Sequence, residues 1–189
     1  MTTSVKLNRE EAKEHLNNTD NGVILIGSPG VGKTTLIARD RMVSASLLAM
    51  EFQVNGIQAI KDLINPQIHY NNNVVVIDDL GIEENVKHYG NGIDPIAWVI
   101  QSIYDINQTS DLPIMILLTS NLNMEELTKR YGIRVIERIQ EMCTTVALQD
   151  TNIRKQLIDN PVTTQTTSVE SKTTKRCDTH IELLEGLED

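Results

Sequence analysis

The stretch Gly27-Ser28-Pro29-Gly30-Val31-Gly32-Lys33-Thr34 limits what this chain can fold into more than any other. It spells G-x-x-x-x-G-K-T, between the apolar run Val23-Ile24-Leu25-Ile26 and the sequence Thr35-Leu36-Ile37-Ala38-Arg39. The first run reads as a buried strand and the second as the start of a helix. Strand, glycine-rich turn and helix in that order are the parts of a phosphate-binding P-loop. Gly27, Gly30 and Gly32 can take backbone angles closed to other residues, so successive N–H groups can point at phosphate oxygens. The unpaired amides and positive dipole end of the following helix add to that field. The expected binding segment is therefore Gly27, Ser28, Pro29, Gly30, Val31, Gly32, Lys33, Thr34 and Thr35. Within it Lys33 would reach the β- and γ-phosphates and the Thr34 hydroxyl would ligate magnesium. ATP and Mg2+ are the implied ligands.

A second feature supports the first. Asn73-Val74-Val75-Val76-Ile77-Asp78-Asp79-Leu80-Gly81 carries four β-branched residues in a row, the signature of a strand buried on both faces of a parallel sheet. Two carboxylates at its carboxyl end lie where such sheets place ligand chemistry. This is a Walker B pattern: Asp78 would hold magnesium through water, and Asp79 would orient or deprotonate the attacking water. Asp-Asp after an apolar strand is by itself often only a turn; the glycine-rich motif upstream favours the catalytic reading. Pro113-Ile114-Met115-Ile116-Leu117-Leu118 is a further buried strand ending in Thr119-Ser120-Asn121. Asn121 would bond the γ-phosphate or the lytic water; the commoner role of such a residue is a helix cap.

Elsewhere the reading is coarser. Lys6 to Asn17 reads as a short polar helix capped by Asn8 with Glu11 three residues on, and His15 on it as solvent-exposed. The P-loop helix is expected to run to about Asp40. A second strand is expected over residues 41–45, a helix from Leu47 to Gln53, and a helix from Ile57 to Ile64 ended by Asn65-Pro66. Met42 and Met50 read as core filling. The segment Ile82 to Asp94 is polar and glycine-punctuated, a surface loop. A helix from Pro95 to Asn107 carries Trp98, which belongs to its apolar face or to an interface, the core being the simpler reading. Asn123 caps Met124 to Arg130, Tyr131-Gly132-Ile133 interrupts, and Arg134 to Met142 is helical. Arg134 and Arg138 share a face one turn apart, either as functional cations or as solvated arginines beside Glu137 and Glu141. Thr144 to Leu148 is a last strand, and Asp150 to Leu157 begins a helical piece containing Arg154.

Composition bounds the partners. The formal charge of −9 argues against broad electrostatic capture of nucleic acid, and 3% aromatic residues leave few stacking platforms for single strands. Cys143 and Cys177 lack metal-ligand spacing and read as reduced thiols. The N-terminus shows no apolar core of a secretory signal, and no run approaches the ~18 apolar residues of a membrane span. A soluble, cytoplasmic protein without membrane contact is expected. From Asn160 the chain is Thr-rich, polar and aperiodic, a disordered acidic tail. Its last residues, Ile181 to Leu187, read as a frayed end or as a short motif for a partner's groove.

The order of these parts resembles the AAA+ ATPases, and within them the bacterial replicative helicase loaders and the ATP-binding helpers of insertion-sequence transposition. GSPGVGKTT, VVVIDDLG, LLTSNL and above all EELTKRYGIRVIERIQEMCTTVAL with Asp150-Thr151-Asn152-Ile153-Arg154-Lys155 carry the resemblance, over about residues 20–158. It implies an α/β P-loop NTPase fold, a three-layer sandwich of AAA+ type around a central parallel sheet, without a separate C-terminal lid domain. The division would be a short N-terminal helix over 1–19, the ATPase domain over 20–158 and the tail over 159–189. Asn121 resembles sensor 1. Arg138, with Arg134 in reserve, resembles an arginine finger acting in trans in a homo-oligomer, and Arg154 resembles the sensor 2 arginine. ATP hydrolysis, single-stranded DNA and a replicative helicase as partners follow from the loader resemblance. Duplex DNA and a transposase would follow from the other, and a non-hydrolysing scaffold that sequesters a helicase is the alternative from a different class. Loaders carry an extra N-terminal domain for the helicase; here the P-loop begins before residue 30.

Overall fold

A computed structural model describes residues 4–38, 42–65, 73–84, 86–88 and 91–149, the last two stretches by backbone alone as far as residue 93. Six strands form one parallel sheet: β1 (Val5–Leu7), β2 (Gly22–Ile26), β3 (Met42–Ser44), β4 (Val74–Leu80), β7 (Met115–Ser120) and β8 (Cys143–Leu148). Their order is β1-β8-β2-β7-β4-β3. The helices are α1 (Arg9–Asn18), α2 (Lys33–Ile37), α3 (Ala45–Asn55), α4 (Ile57–Ile64), α5 (Pro95–Thr109), α6 (Met124–Tyr131) and α7 (Ile133–Met142). This is an α/β fold of P-loop type, with helices packed on both faces of a central parallel sheet.

Alternation along the strands explains the layers. Ile24, Val75, Ile77, Ile116 and Leu118 point to the face covered by α3 to α7, where Phe52, Ile100 and Ile136 join them. Val23, Leu25, Val76 and Leu117 point to the other face, with Ala12 of α1 and Leu36 and Ile37 of α2. Strands buried on both faces need apolar residues at every position, as the Val-Val-Val-Ile run supplies. Gly22 opens β2. A Cβ there would lie 2.7 Å from the Ile116 carbonyl, 2.8 Å from that of Met142 and 2.9 Å from Cys143 Sγ. Gly22→Ala should therefore destabilise the fold by ~1–3 kcal/mol, read as a lower urea midpoint.

Several expectations need correction. Lys6 and Leu7 do not open the first helix: Val5–Leu7 is an edge strand, paired with Val146–Leu148 of β8. Asn8 then caps α1 in the expected box with Glu11. His15 is half-buried, and its Nε2 is buried without a hydrogen-bond partner. Helix α2 ends at Ile37. Met42, Met50 and Trp98 are not core residues; Met50 is 64% exposed and Trp98 45%. The Ile82–Asp94 segment is not a plain surface loop. It contains the antiparallel pair β5 (Val86–His88) and β6 (Asn91–Ile93), and its Glu83 is buried. Burial raises the Cys143 thiol to about 12, so it stays protonated and inert. Among the described residues no helix is long and apolar enough to cross a membrane. Cys177, the Asp150–Leu157 piece and the Thr-rich tail lie outside the described residues.

Candidate nucleotide-binding site

The strand order places β2 between β8 and β7, while the chain leaves β2 for β3 at the far edge. The crevice at the carboxyl end of β2 is thus a switch point of a parallel sheet. The P-loop fills it. The Gly27 N–H donates to the Ser120 carbonyl of β7 at 3.3 Å, and Gly30 and Gly32 have φ of 86° and 91°. A cavity of about 260 Å³ opens there, lined by Pro29, Gly30, Gly32, Lys33, Thr34, Thr35, Asp79, Asn121 and Arg9.

Lys33 is 5% exposed, an uncommon state for a lysine. Its ammonium donates to the carbonyls of Gly27 (2.7 Å) and Ser28 (3.0 Å) and to Asn121 Oδ1 (2.6 Å). The Asn121 amide nitrogen in turn donates to Asp79 Oδ1 at 3.3 Å. One asparagine at the end of β7 thus connects the P-loop cation to the second carboxylate of β4. Asn121 is not a helix cap: Asn123 caps α6, its side chain accepting from the Glu126 N–H.

Asp78 is buried and accepts the hydroxyl protons of Thr34 (3.1 Å) and Thr119. The Thr119 hydroxyl also accepts the Asp79 N–H at 2.9 Å. Sequence reasoning passed over Thr119. Its signal lay in the register, because the last residues of two adjacent parallel strands meet. A hydroxyl and a carboxylate 3.1 Å apart suit a magnesium ion held by few protein ligands and by phosphate oxygens. Among the described residues no cluster of three or more acidic, His or Cys side chains offers an all-protein cage elsewhere.

The backbone at Asp79 is unusual. Ile77 faces Leu118 and Leu80 faces Ser120, so β4 carries one residue more than β7, a bulge at the two aspartates. Asp79 takes φ of 57°, in the left-handed region that few non-glycine residues visit.

Arg9 is the other residue that the sequence did not single out. The β1–β8 pairing and Asn8 cap fix the start of α1, and Arg9 there donates to Thr35 Oγ1 at 3.1 Å. Arg134 and Arg138 do not line the cavity. Arg134 is exposed, whereas the Arg138 guanidinium lies 5.0 Å from the centre of the Tyr104 ring and donates to the Arg134 carbonyl at 3.3 Å. Glu141, by hydrogen bonding, holds the Tyr104 phenol above its ordinary value. Arg154 lies outside the described residues.

Solved structures that resemble the chain include AMPPCP-bound DnaA from Aquifex aeolicus, with 22% identity and a TM-score of 0.44. A replication initiator DnaA bound to AMPPCP and single-stranded DNA gives 21% and 0.49, and a DNA replication initiation factor 21% and 0.47. Each likeness covers 79% of this chain and 49% of the other, so the chain spans about half the length of the structures it matches. No curated protein sequence matches it. The profile of the family described as Novel STAND NTPase 3 matches residues 6–164, a span that holds every residue of the cleft, and the chain belongs to that family.

Proposed function

We propose that this chain binds and hydrolyses ATP, and that it works in an assembly in which a neighbour completes each site. The observation that carries the reading is the continuous network Lys33–Asn121–Asp79 beside Thr34–Asp78–Thr119. Lys33 holds the β- and γ-phosphates as a desolvated cation. Thr34 and Asp78 would hold a magnesium ion, which would neutralise phosphate charge. Asp79 accepts a proton from the attacking water or orients it, and Asn121 fixes that carboxylate relative to Lys33. Water attacks the γ-phosphorus in line with the departing ADP oxygen, so that the γ-phosphoryl passes to the water as phosphate, and Arg138 or Arg134 of a neighbouring subunit meets the developing charge.

The finer reading is a helicase loader that oligomerises on single-stranded DNA and engages a replicative helicase in replication. It rests on the resemblance of the run from Asn121 to Leu148. The test is ATP turnover against protein concentration, with no DNA, single-stranded DNA or duplex. Turnover that rises with concentration and with single strands supports the loader. Stimulation by duplex alone favours the transposition helper. ATP binding without turnover under every condition removes hydrolysis and leaves a nucleotide-gated scaffold.

Arg9 extends the binding half of this reading. It donates to Thr35, one step along α2 from the magnesium-side Thr34. Its charge therefore serves the part of the polyphosphate that ADP and ATP share. Arg9→Ala should weaken both nucleotides alike, by roughly tenfold, the scale of a lost charged hydrogen bond. Turnover at saturating ATP should stay unchanged. Titration of fluorescent ADP and ATP reads this, and a loss confined to ATP would move Arg9 to the γ-phosphate end.

A further inference from the structure

Glu83 stands in the turn that leaves β4, and its side chain has no exposed surface. Carboxylates are almost never buried so fully unless paired. Here both oxygens are used. Oε2 accepts the Gly81 N–H at 2.9 Å, while Oε1 accepts the Tyr131 hydroxyl at 2.6 Å and an Arg130 N–H at 3.0 Å. The same Arg130 nitrogen donates to the Glu83 carbonyl at 3.1 Å, and the other terminal nitrogen donates to Asp94 Oδ2 at 3.1 Å. Asp94 caps α5 by accepting from the amides of Ile96 and Ala97. Burial, and then Glu83, hold the Tyr131 phenol above its ordinary value, so the hydroxyl remains a donor.

A buried ion pair is weak support for stability, because desolvation offsets much of the attraction. What it does supply is a fixed geometry, and the neighbouring backbone needs one. Asp79 at φ 57° and Gly81 at φ 93° bracket the end of the bulged strand. Such backbone persists only where its surroundings over-determine it. Two side chains do so here. Thr119 takes the Asp79 N–H on one side, and Glu83 takes the Gly81 N–H on the other. The turn is also seated against the segment after Asn121, since a Cβ on Gly81 would lie 2.4 Å from Leu122 Cδ1.

We propose that Glu83, held by Arg130 and Tyr131, is a positioning residue for Asp79: by clamping the Gly81 turn it keeps the Asp79 carboxylate on Asn121. The inference rests on the hydrolytic reading of the cleft. Glu83 touches neither nucleotide nor water in this scheme and acts only through the backbone of residues 79–81. Its loss must therefore separate chemistry from binding, since Lys33, Thr34 and Asp78 are left in place.

The test uses the full chain with Glu83→Gln, which keeps the side chain's shape, and Tyr131→Phe, which keeps the ring and removes one hydrogen bond. Turnover at saturating ATP should fall ~10–100-fold, the scale of a small misplacement at a reacting centre. Affinity for ADP and ATP should be retained, and amide exchange should accelerate over residues 79–82 while β2 and β7 stay protected. If Glu83→Gln does not fold, Tyr131→Phe carries the test alone. Unchanged turnover despite faster exchange at Gly81 would overturn the inference. So would a parallel fall in turnover, affinity and melting temperature, the mark of a merely structural part. A wild type that binds ATP and never hydrolyses it sinks the hydrolytic reading first, and this inference with it.

Discussion

Replacing Arg134 and Arg138 together by alanine should lower ATP turnover of the assembled protein by ~10³–10⁵-fold, with nucleotide affinity retained. A positive charge delivered to the γ-phosphoryl group in transfer stabilises the transition state far more than the bound triphosphate, so its loss appears in turnover. Both side chains sit on α7, outside the cleft of their own subunit, as residues serving a neighbour must. The two are not equivalent. Arg134 is exposed and available as it stands, whereas Arg138 would leave the Tyr104 ring and the Arg134 carbonyl to reach across an interface. Single variants assign the role. Turnover is measured well above the concentration at which activity saturates. Equal rates for the double variant and wild type would mean that α7 brings no finger.

Asp79→Asn should cost ~10²–10⁴-fold in the hydrolytic step, the contribution of a well-placed general base. The substitution is informative because of the backbone. Asparagine tolerates the left-handed region about as well as aspartate, so the bulge at φ 57° is kept while the proton acceptor is lost. Asp79→Ala would confound the two by straining the turn. Single-turnover hydrolysis of prebound ATP isolates the step. A variant that hydrolyses at the wild-type rate would assign the water to another residue.

How much of this was legible beforehand follows from the physics of each element. The cleft was the most legible part, because phosphate binding demands glycines at fixed spacing and a strand buried on both faces demands an unbroken apolar run. Asn121 could be found because strand ends in a parallel sheet converge on one edge. Val5–Leu7 was missed since three residues, two of them exposed, carry no period; pairing with β8 alone makes them a strand. Glu83 was missed for a different reason. A carboxylate among glycines and polar residues looks solvated, and its partners Arg130 and Tyr131 lie 47 and 48 residues further on. Met50 and Trp98 were placed inside because a helical period shows which residues share a face, not whether another element covers it.

The unequal covering of the sheet has a consequence for how the molecule opens. Among the described residues, 21 buried side chains form the cluster under α3 to α7, against 10 in the cluster under α1 and α2. The thinner layer carries the P-loop helix and Arg9. Local opening free energy scales with buried apolar contact, so this layer belongs to the less protected end of the exchange hierarchy. A nucleotide bound in the cleft would therefore sit against the part of the described structure that loosens most readily, and would tighten a unit that can otherwise breathe while the thicker layer and its arginine helix stay folded.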